Sequence, residues 1–134
     1  VKALLDTNIL VALKAQGEEP SDLSGLQAPQ VSALSWSEMV MGLHRAKDVP
    51  TYRARSRRLV ELQRVFGDGL AFDRDCLDAY DAVLERVVRR RGEVRARRFD
   101  RMIAATALAQ HIPLATRNVQ DFRELEGLLE VVEL

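Results

Sequence analysis

The sequence predicts an α/β fold of three layers, α/β/α, around a central parallel sheet. Three observations carry that expectation. Apolar runs of strand length recur along the chain, segments of helical periodicity separate them, and no internal repeat or low-complexity stretch breaks the alternation. Strands joined through helices make a parallel sheet covered on both faces.

The first run, Ala3-Leu4-Leu5, ends at Asp6, and Ile9, Leu10 and Leu13 then fall at helical spacing until the loop Gly17-Glu18-Glu19-Pro20. A second buried strand is expected over Val31 to Leu34, just after Pro29. Trp36, Met39, Val40 and Leu43 follow at i, i+3, i+4, i+7, which is one helix face. A third helix is expected over about 54–66, with Leu59, Leu62, Val65 and Phe66 together, and a short strand over Gly69 to Phe72, ended by Asp73. Leu77, Tyr80, Leu84, Val87 and Val88 trace the next helical stripe. Arg89-Arg90-Arg91-Gly92 closes it, with cations and a glycine where helix C-termini favour them. Residues 100–110 are alanine-rich, a helix able to lie close to its neighbours. Pro113 to Thr116 and Leu129 to Leu134 read as the last two strands.

Composition bounds the function. The 134 residues suffice for one domain, 1–134, with its own core. Apolar residues are 47% and charged residues 30%, which excludes general disorder. Twenty cations cancel twenty anions, so net charge points to no nucleic-acid or membrane partner. The lone Cys76 closes no disulfide within the chain and reads as a small buried hydrophobe. His44 and His111 form no metal-binding pair, so softer metals lack their usual ligands. The longest charge-free stretches, 23–37 and 102–116, carry Gln, Ser, His or Pro and are not membrane spans. A cytoplasmic location is expected.

In such a fold the carboxyl ends of strands and the amino ends of helices share one edge, where ligands bind. Asp6 ends the first strand, Glu38 opens the helix after the second, Asp100 opens the alanine-rich helix, and Asn118 and Asp121 follow a late strand. Each has a structural explanation alone. Ser35-Trp36-Ser37-Glu38 matches a capping box, Asp100 complements a helix dipole, Asn118 with Asp121 could cap a short helix, and Asp6 could be an N-cap. Together, three or four carboxylates on one edge repel each other unless a cation neutralises them. Oxygen ligands alone favour Mg²⁺ or Mn²⁺, and such ions support phosphodiester or phosphoryl chemistry.

At these residues the chain resembles the PIN-domain family, and VapC-type toxins of prokaryotic toxin–antitoxin pairs in particular. DTNIL, the SEM at the head of the second helix, DRMIAATAL and LATRNVQDF carry the likeness, in order and spacing across essentially the whole chain. The resemblance implies a PIN-like α/β/α domain and a Mg²⁺- or Mn²⁺-dependent endoribonuclease that cuts structured RNA, such as transfer or ribosomal RNA, and stops translation. It also implies a homodimer restrained by a VapB-type antitoxin whose tail lies across the site. By position, Asp6 and Asp100 match the metal-binding aspartates and Glu38 the second acidic position, on or near the metal. Asn118 stands where members often carry aspartate, with Asp121 one turn away. Catalytic candidates are therefore Asp6, Glu38, Asp100 and Asn118, with Thr7, Asn8, Thr116, Arg117 and Asp121 secondary.

Residues 86–101 hold eight arginines against Glu93 and Asp100. Arg89, Arg90, Arg91, Arg95, Arg97 and Arg98 are candidates for phosphate contact with RNA, or else a solvated helix end and loop. Trp36 and the Met39–Met41 pair read as core or dimer contact. Two rival functions share the acidic edge. An aspartyl-phosphate phosphatase wants an aspartate at Asn8, and a receiver wants a late lysine, absent beyond Lys47. A catalytically weak RNA- or protein-binding module rests on Asn118 alone.

Overall fold

Alternation along the first strand decides the layers. In the computed structural model, which describes residues 2–13 and 28–134, β1 spans Lys2–Leu5. Ala3 and Leu5 point into one apolar cluster and Leu4 into another, because successive strand side chains leave opposite faces of a sheet. α1 (Thr7–Ala12), α2 (Ala33–His44) and α3 (Val49–Phe66) pack Leu10, Trp36 and Leu59 into the first cluster. α4 (Arg74–Arg89) and α5 (Arg98–Ala109) pack Val83 and Ile103 into the second. Among the described residues the sheet has four parallel strands in the order β2-β1-β3-β4, with β2 at Ala28–Gln30, β3 at Leu114–Thr116 and β4 at Val131–Glu133. Helices on both faces of a parallel sheet are the expected three-layer α/β/α fold.

Connectivity positions the site. β1 pairs with β2 on one side and with β3 on the other, although all five described α-helices lie between β1 and β3 in sequence. The chain's direction of winding thus reverses between β1 and β3, and in open parallel sheets ligands bind outside the carboxyl ends of such a pair. Asp6 N–H donates to Ala115 O at 2.9 Å, which locks the ends of the two strands in register.

Local chemistry moved several boundaries. The expected strand Val31–Leu34 lies three residues too late. Ser32 caps α2 by accepting from Leu34 N at 3.0 Å, so Ala33 and Leu34 are helical. β2 tolerates Pro29 because it is an edge strand, where a missing donor leaves no ladder bond broken. α3 begins at Val49 rather than about 54, since Asp48 accepts from Thr51 N at 2.7 Å and Pro50 suits a first turn. Gly69 to Phe72 form only a bridge, Ser32 to Leu70, and no strand. Gly69 sits at φ 86°, and an added Cβ would lie 2.8 Å from Ala33 N, so the close approach requires glycine.

Some expected core positions face solvent. Val40, Val65, Leu77 and Val88 are exposed, whereas Cys76, Val83 and Val87 form the buried face of α4. Arg91 rather than Gly92 takes the left-handed conformation that ends α4, at φ 60°. Gly92 serves close packing instead, since a Cβ there would meet Val87 Cγ1 at 2.8 Å. The expected loop Gly17 to Pro20 lies outside the described residues. Among the described residues no helix is long and apolar enough to cross a membrane.

Candidate active site

Asp6 follows β1 directly and is 2% exposed. It occupies the N-cap position of α1, yet its side chain makes no capping bond. The Thr116 hydroxyl, at the end of β3, donates to its Oδ2 at 2.9 Å. Its Oδ1 is buried with no hydrogen-bond partner among the described residues. Burial is the main force raising the Asp6 pKa above the usual carboxylate range; the Thr116 bond opposes it, and the Asp100 charge adds to it.

Glu38 lies in the second turn of α2, not at its head, because the helix starts at Ala33. The capping-box explanation of Ser35 and Glu38 therefore fails. Ser35 is fully buried within the helix, and Glu38 reaches across to α1, where Thr7 Oγ1 donates to Oε1 at 2.8 Å. Thr7 has one hydroxyl proton. Giving it to Glu38 makes Thr7 the acceptor from Ser35 Oγ, also at 2.8 Å. Burial again raises the Glu38 pKa, with Asp100 and Asp6 adding to the shift against the Thr7 bond.

Asp100 stands in the first turn of α5 as expected. Its partner is Arg97, whose Nη2 lies 3.4 Å from Asp100 Oδ2 and 3.0 Å from Asp121 Oδ2. Arg97 adopts a left-handed backbone, φ 56°, and its guanidinium lies 5.7 Å from the centre of the Phe122 ring. Asn118 caps nothing with its side chain. Its Nδ2 donates to Asp121 Oδ2 at 2.8 Å, and its backbone N–H donates to Thr116 Oγ1 at 3.1 Å. Arg117 is exposed beside it.

The fold brings Asp100 and Asp121 within electrostatic reach of Asp6, and Asp6 and Asp100 within reach of Glu38. Among the described residues, no three carboxylate, imidazole or thiol groups converge into a closed cation cage. Each acid is engaged by a donor instead: Thr116 for Asp6, Thr7 for Glu38, Arg97 shared by Asp100 and Asp121, and Asn118 also for Asp121. The donor set still suits a hard divalent cation. It is all oxygen, and Oδ1 of Asp6 is buried with no hydrogen-bond partner among the described residues.

The arginine surface shrinks on inspection. Arg86 donates to Glu126 O, Arg89 pairs with Glu85, Arg101 is buried against Glu124, and Arg97 is engaged by the acids. Arg97 thus stands at the acidic site as well as at the surface, and Arg89, Arg90, Arg91, Arg95 and Arg98 are exposed. Trp36 is core, its Nε1 donating to Gly67 O at 3.1 Å, and Met39 packs against the same cluster while Met41 is exposed. Sequence reasoning missed the Ser35–Thr7–Glu38 chain, because Ser35 fitted a capping pattern. It also passed over Arg45, Arg55 and Arg58, which line a cleft beside Thr7, Asn8 and Glu38. The i, i+3 spacing of the last two was the available signal.

The fold and these residues define an α/β protein with a carboxylate cluster at the switch point of its sheet. The PIN domain model matches residues 3–128, and the chain belongs to that family. Ribonuclease VapC of Rickettsia bellii (strain RML369-C) is 23% identical over 125 residues, which span 93% of this chain and 91% of that one. Among solved structures, VapBC-5 of Mycobacterium tuberculosis, a member of the VapBC family of toxin–antitoxin systems, superposes with a TM-score of 0.80 at 20% identity, over 99% of this chain and 98% of the other. VapBC2 of Rickettsia felis, bound to a DNA fragment from its promoter, gives 0.80 at 18% identity, over 100% and 99%.

Proposed function

We propose that this protein is a Mg²⁺- or Mn²⁺-dependent endoribonuclease, the cytoplasmic toxin of a toxin–antitoxin pair, acting as one domain over residues 1–134. The observation that carries the reading is Asp6: a buried carboxylate with one unpartnered oxygen, at the β1–β3 switch point of a PIN-family chain. The relative named Ribonuclease VapC supports nuclease chemistry, and family membership favours it over an aspartyl-phosphate mechanism.

Asp6, Glu38 and Asp100 would hold the ion. When bound, it supplies activation of water and stabilises charge on a phosphoryl oxygen. Thr116 and Thr7 orient Asp6 and Glu38 through their hydroxyls. Burial raises the pKa of Glu38, and the Thr7 hydroxyl holds it facing the other acids, so it would serve as a ligand on or near the ion. Asn118 completes the site as a neutral oxygen donor, and Asp121 stands behind it. Structured RNA, transfer or ribosomal, is the substrate, and its loss halts translation.

Restraint comes from a VapB-type antitoxin, a partner class that the solved VapBC structures of similar fold support; it would place a cation among the acids. Leu43 is buried in the core, and Leu13 is half-buried against the same cluster. Val11, Val40 and Met41, exposed on α1 and α2, are the apolar positions it covers, or that a homodimer shares.

Purified protein incubated with transfer and ribosomal RNA, with Mn²⁺, with Mg²⁺ and with EDTA, tests the reading. Cleavage is expected only with metal and not by Asp6→Asn. Full activity in EDTA, or an Asp6→Asn variant as active as the parent, overturns it.

A further inference from the structure

A cleft of about 550 Å³ opens beside the acids, between α1, α2 and α3. Thr7, Asn8 and Glu38 form the end it shares with the acidic site, and Arg45, Arg55 and Arg58 form the rest of its charged lining. Three cations against Glu38 leave that lining net positive, in contrast to the carboxylates next door. Arg55 is partly satisfied, since its Nη1 donates to Gly42 O at 2.6 Å. Arg58 is not. Its Nη1 stands 3.7 Å from Glu61, outside hydrogen-bond range, and its Nη2 is buried with no partner among the described residues. A buried guanidinium donor without an acceptor is costly, and an anionic oxygen is the acceptor that matches its fork.

We infer that this cleft is a phosphate-binding subsite that holds the RNA backbone next to the bond being cut, with Arg58 as its anchor and Arg45 at its rim. The inference rests on the ribonuclease reading above and adds the strand's path to it. Nuclease substrates carry a phosphate at every nucleotide, so a cationic cleft that shares Thr7 and Glu38 with the acids receives one phosphate while the acids receive a neighbour. Arginine suits the task because its planar fork takes two phosphate oxygens at once. An acidic protein segment is the alternative occupant; an RNA strand held at the acids supplies the cleft with phosphate from the same molecule, with no second ligand needed.

Binding without cutting separates the two claims. Anisotropy of a fluorescein-labelled twelve-nucleotide RNA of mixed sequence is measured on the intact protein in EDTA, across a salt series. Arg58→Gln is expected to weaken binding roughly tenfold or more. The slope of log affinity against log salt should flatten by about 0.7, the value for one phosphate of a single strand. Arg45→Gln, on an exposed side chain, should flatten the slope without disturbing the fold. Arg58→Lys should keep the slope and lose part of the affinity, and Arg74→Gln, remote on α4, should match the parent. A parent that does not bind this RNA, or Arg58→Gln and Arg45→Gln variants with unchanged affinity and slope, overturns the subsite. So does loss of binding to a glutamate-rich peptide with RNA binding intact. Arg58-dependent binding by a protein that cuts nothing with Mn²⁺ leaves the subsite standing and removes the ribonuclease reading.

Discussion

The Thr116 hydroxyl donates to Asp6 Oδ2 at 2.9 Å across 110 positions of sequence, and Thr116 Oγ1 in turn accepts from the backbone N–H of Asn118 at 3.1 Å. One fully buried threonine at the end of β3 therefore ties the key carboxylate of β1 to the loop that carries Asn118 and Asp121. Thr7 does the equivalent for Glu38. Two hydroxyls, neither with chemistry of its own, set where two acids point.

Thr116→Val keeps the shape and removes the donor. It leaves both oxygens of a buried carboxylate without a partner, and the expected cost is about 1–3 kcal/mol. Urea denaturation in EDTA at neutral pH should show a lower midpoint with an unchanged slope. Thr116→Ser should restore most of the loss. A midpoint equal to the parent's would mean the bond contributes nothing net.

Asp6→Asn should be more stable than the parent near neutral pH when no divalent ion is present. Burial raises the native pKa of Asp6 above its unfolded value. The native state then binds more protons than the unfolded state between those two values, so stability falls as pH rises through that window. Asparagine does not ionise and escapes the loss. The difference in melting temperature should therefore shrink as pH is lowered towards about 4, near the unfolded aspartate pKa. A difference that is constant with pH would contradict the sign.

Mn²⁺ or Mg²⁺ should raise the melting temperature of the parent. An ion at a hundredfold excess over its Kd stabilises the native state by about 2.7 kcal/mol if it does not bind the unfolded chain. Asp6→Asn and Asp100→Asn should abolish both this shift and RNA cleavage while keeping the far-ultraviolet spectrum of the parent. Persistence of the shift in both variants would place the ion elsewhere.

Arg97→Gln should tighten Mn²⁺ binding severalfold. Arg97 pairs with Asp100 and Asp121 at 3.4 and 3.0 Å, and a cation there competes with any second cation for the same charge. Titration calorimetry reads the effect without an activity assay. Weaker binding in the variant would show instead that Arg97 orients the acids for the ion.

Asn118→Asp should lower stability in EDTA and strengthen Mn²⁺ binding. The new carboxylate would stand beside Asp121 Oδ2, where the amide now donates at 2.8 Å, so repulsion replaces a hydrogen bond until an ion arrives. Asn118→Ala should reduce cleavage severalfold. Asp121→Ala should reduce it through loss of local structure, seen as a lower melting temperature. A crystal soaked in Mn²⁺ with the ion on Asp121 and Asn118 turned away would reverse these roles.

The sequence by itself determined the three-layer fold and the identity of the acids. Apolar runs and helical stripes are local patterns, and Asp6, Asp100 and Asn118 sit at element ends that the patterns mark. It misplaced β2 and the start of α2 because Val31-Ser32-Ala33-Leu34 is apolar enough for either state, and only the Ser32 cap bond chooses the helix. It could not say that Val65 faces solvent while Val83 is buried, since which side of a helix meets the sheet depends on the neighbours. Tertiary structure alone decided the partners of each acid. Thr116 meets Asp6, Thr7 meets Glu38, and Arg97 turns inward to Asp100 and Asp121 because β1 and β3 lie side by side and α5 begins at their edge. Hydrogen bonds and ion pairs act over about 3 Å, and sequence distance carries no record of which groups will come that close.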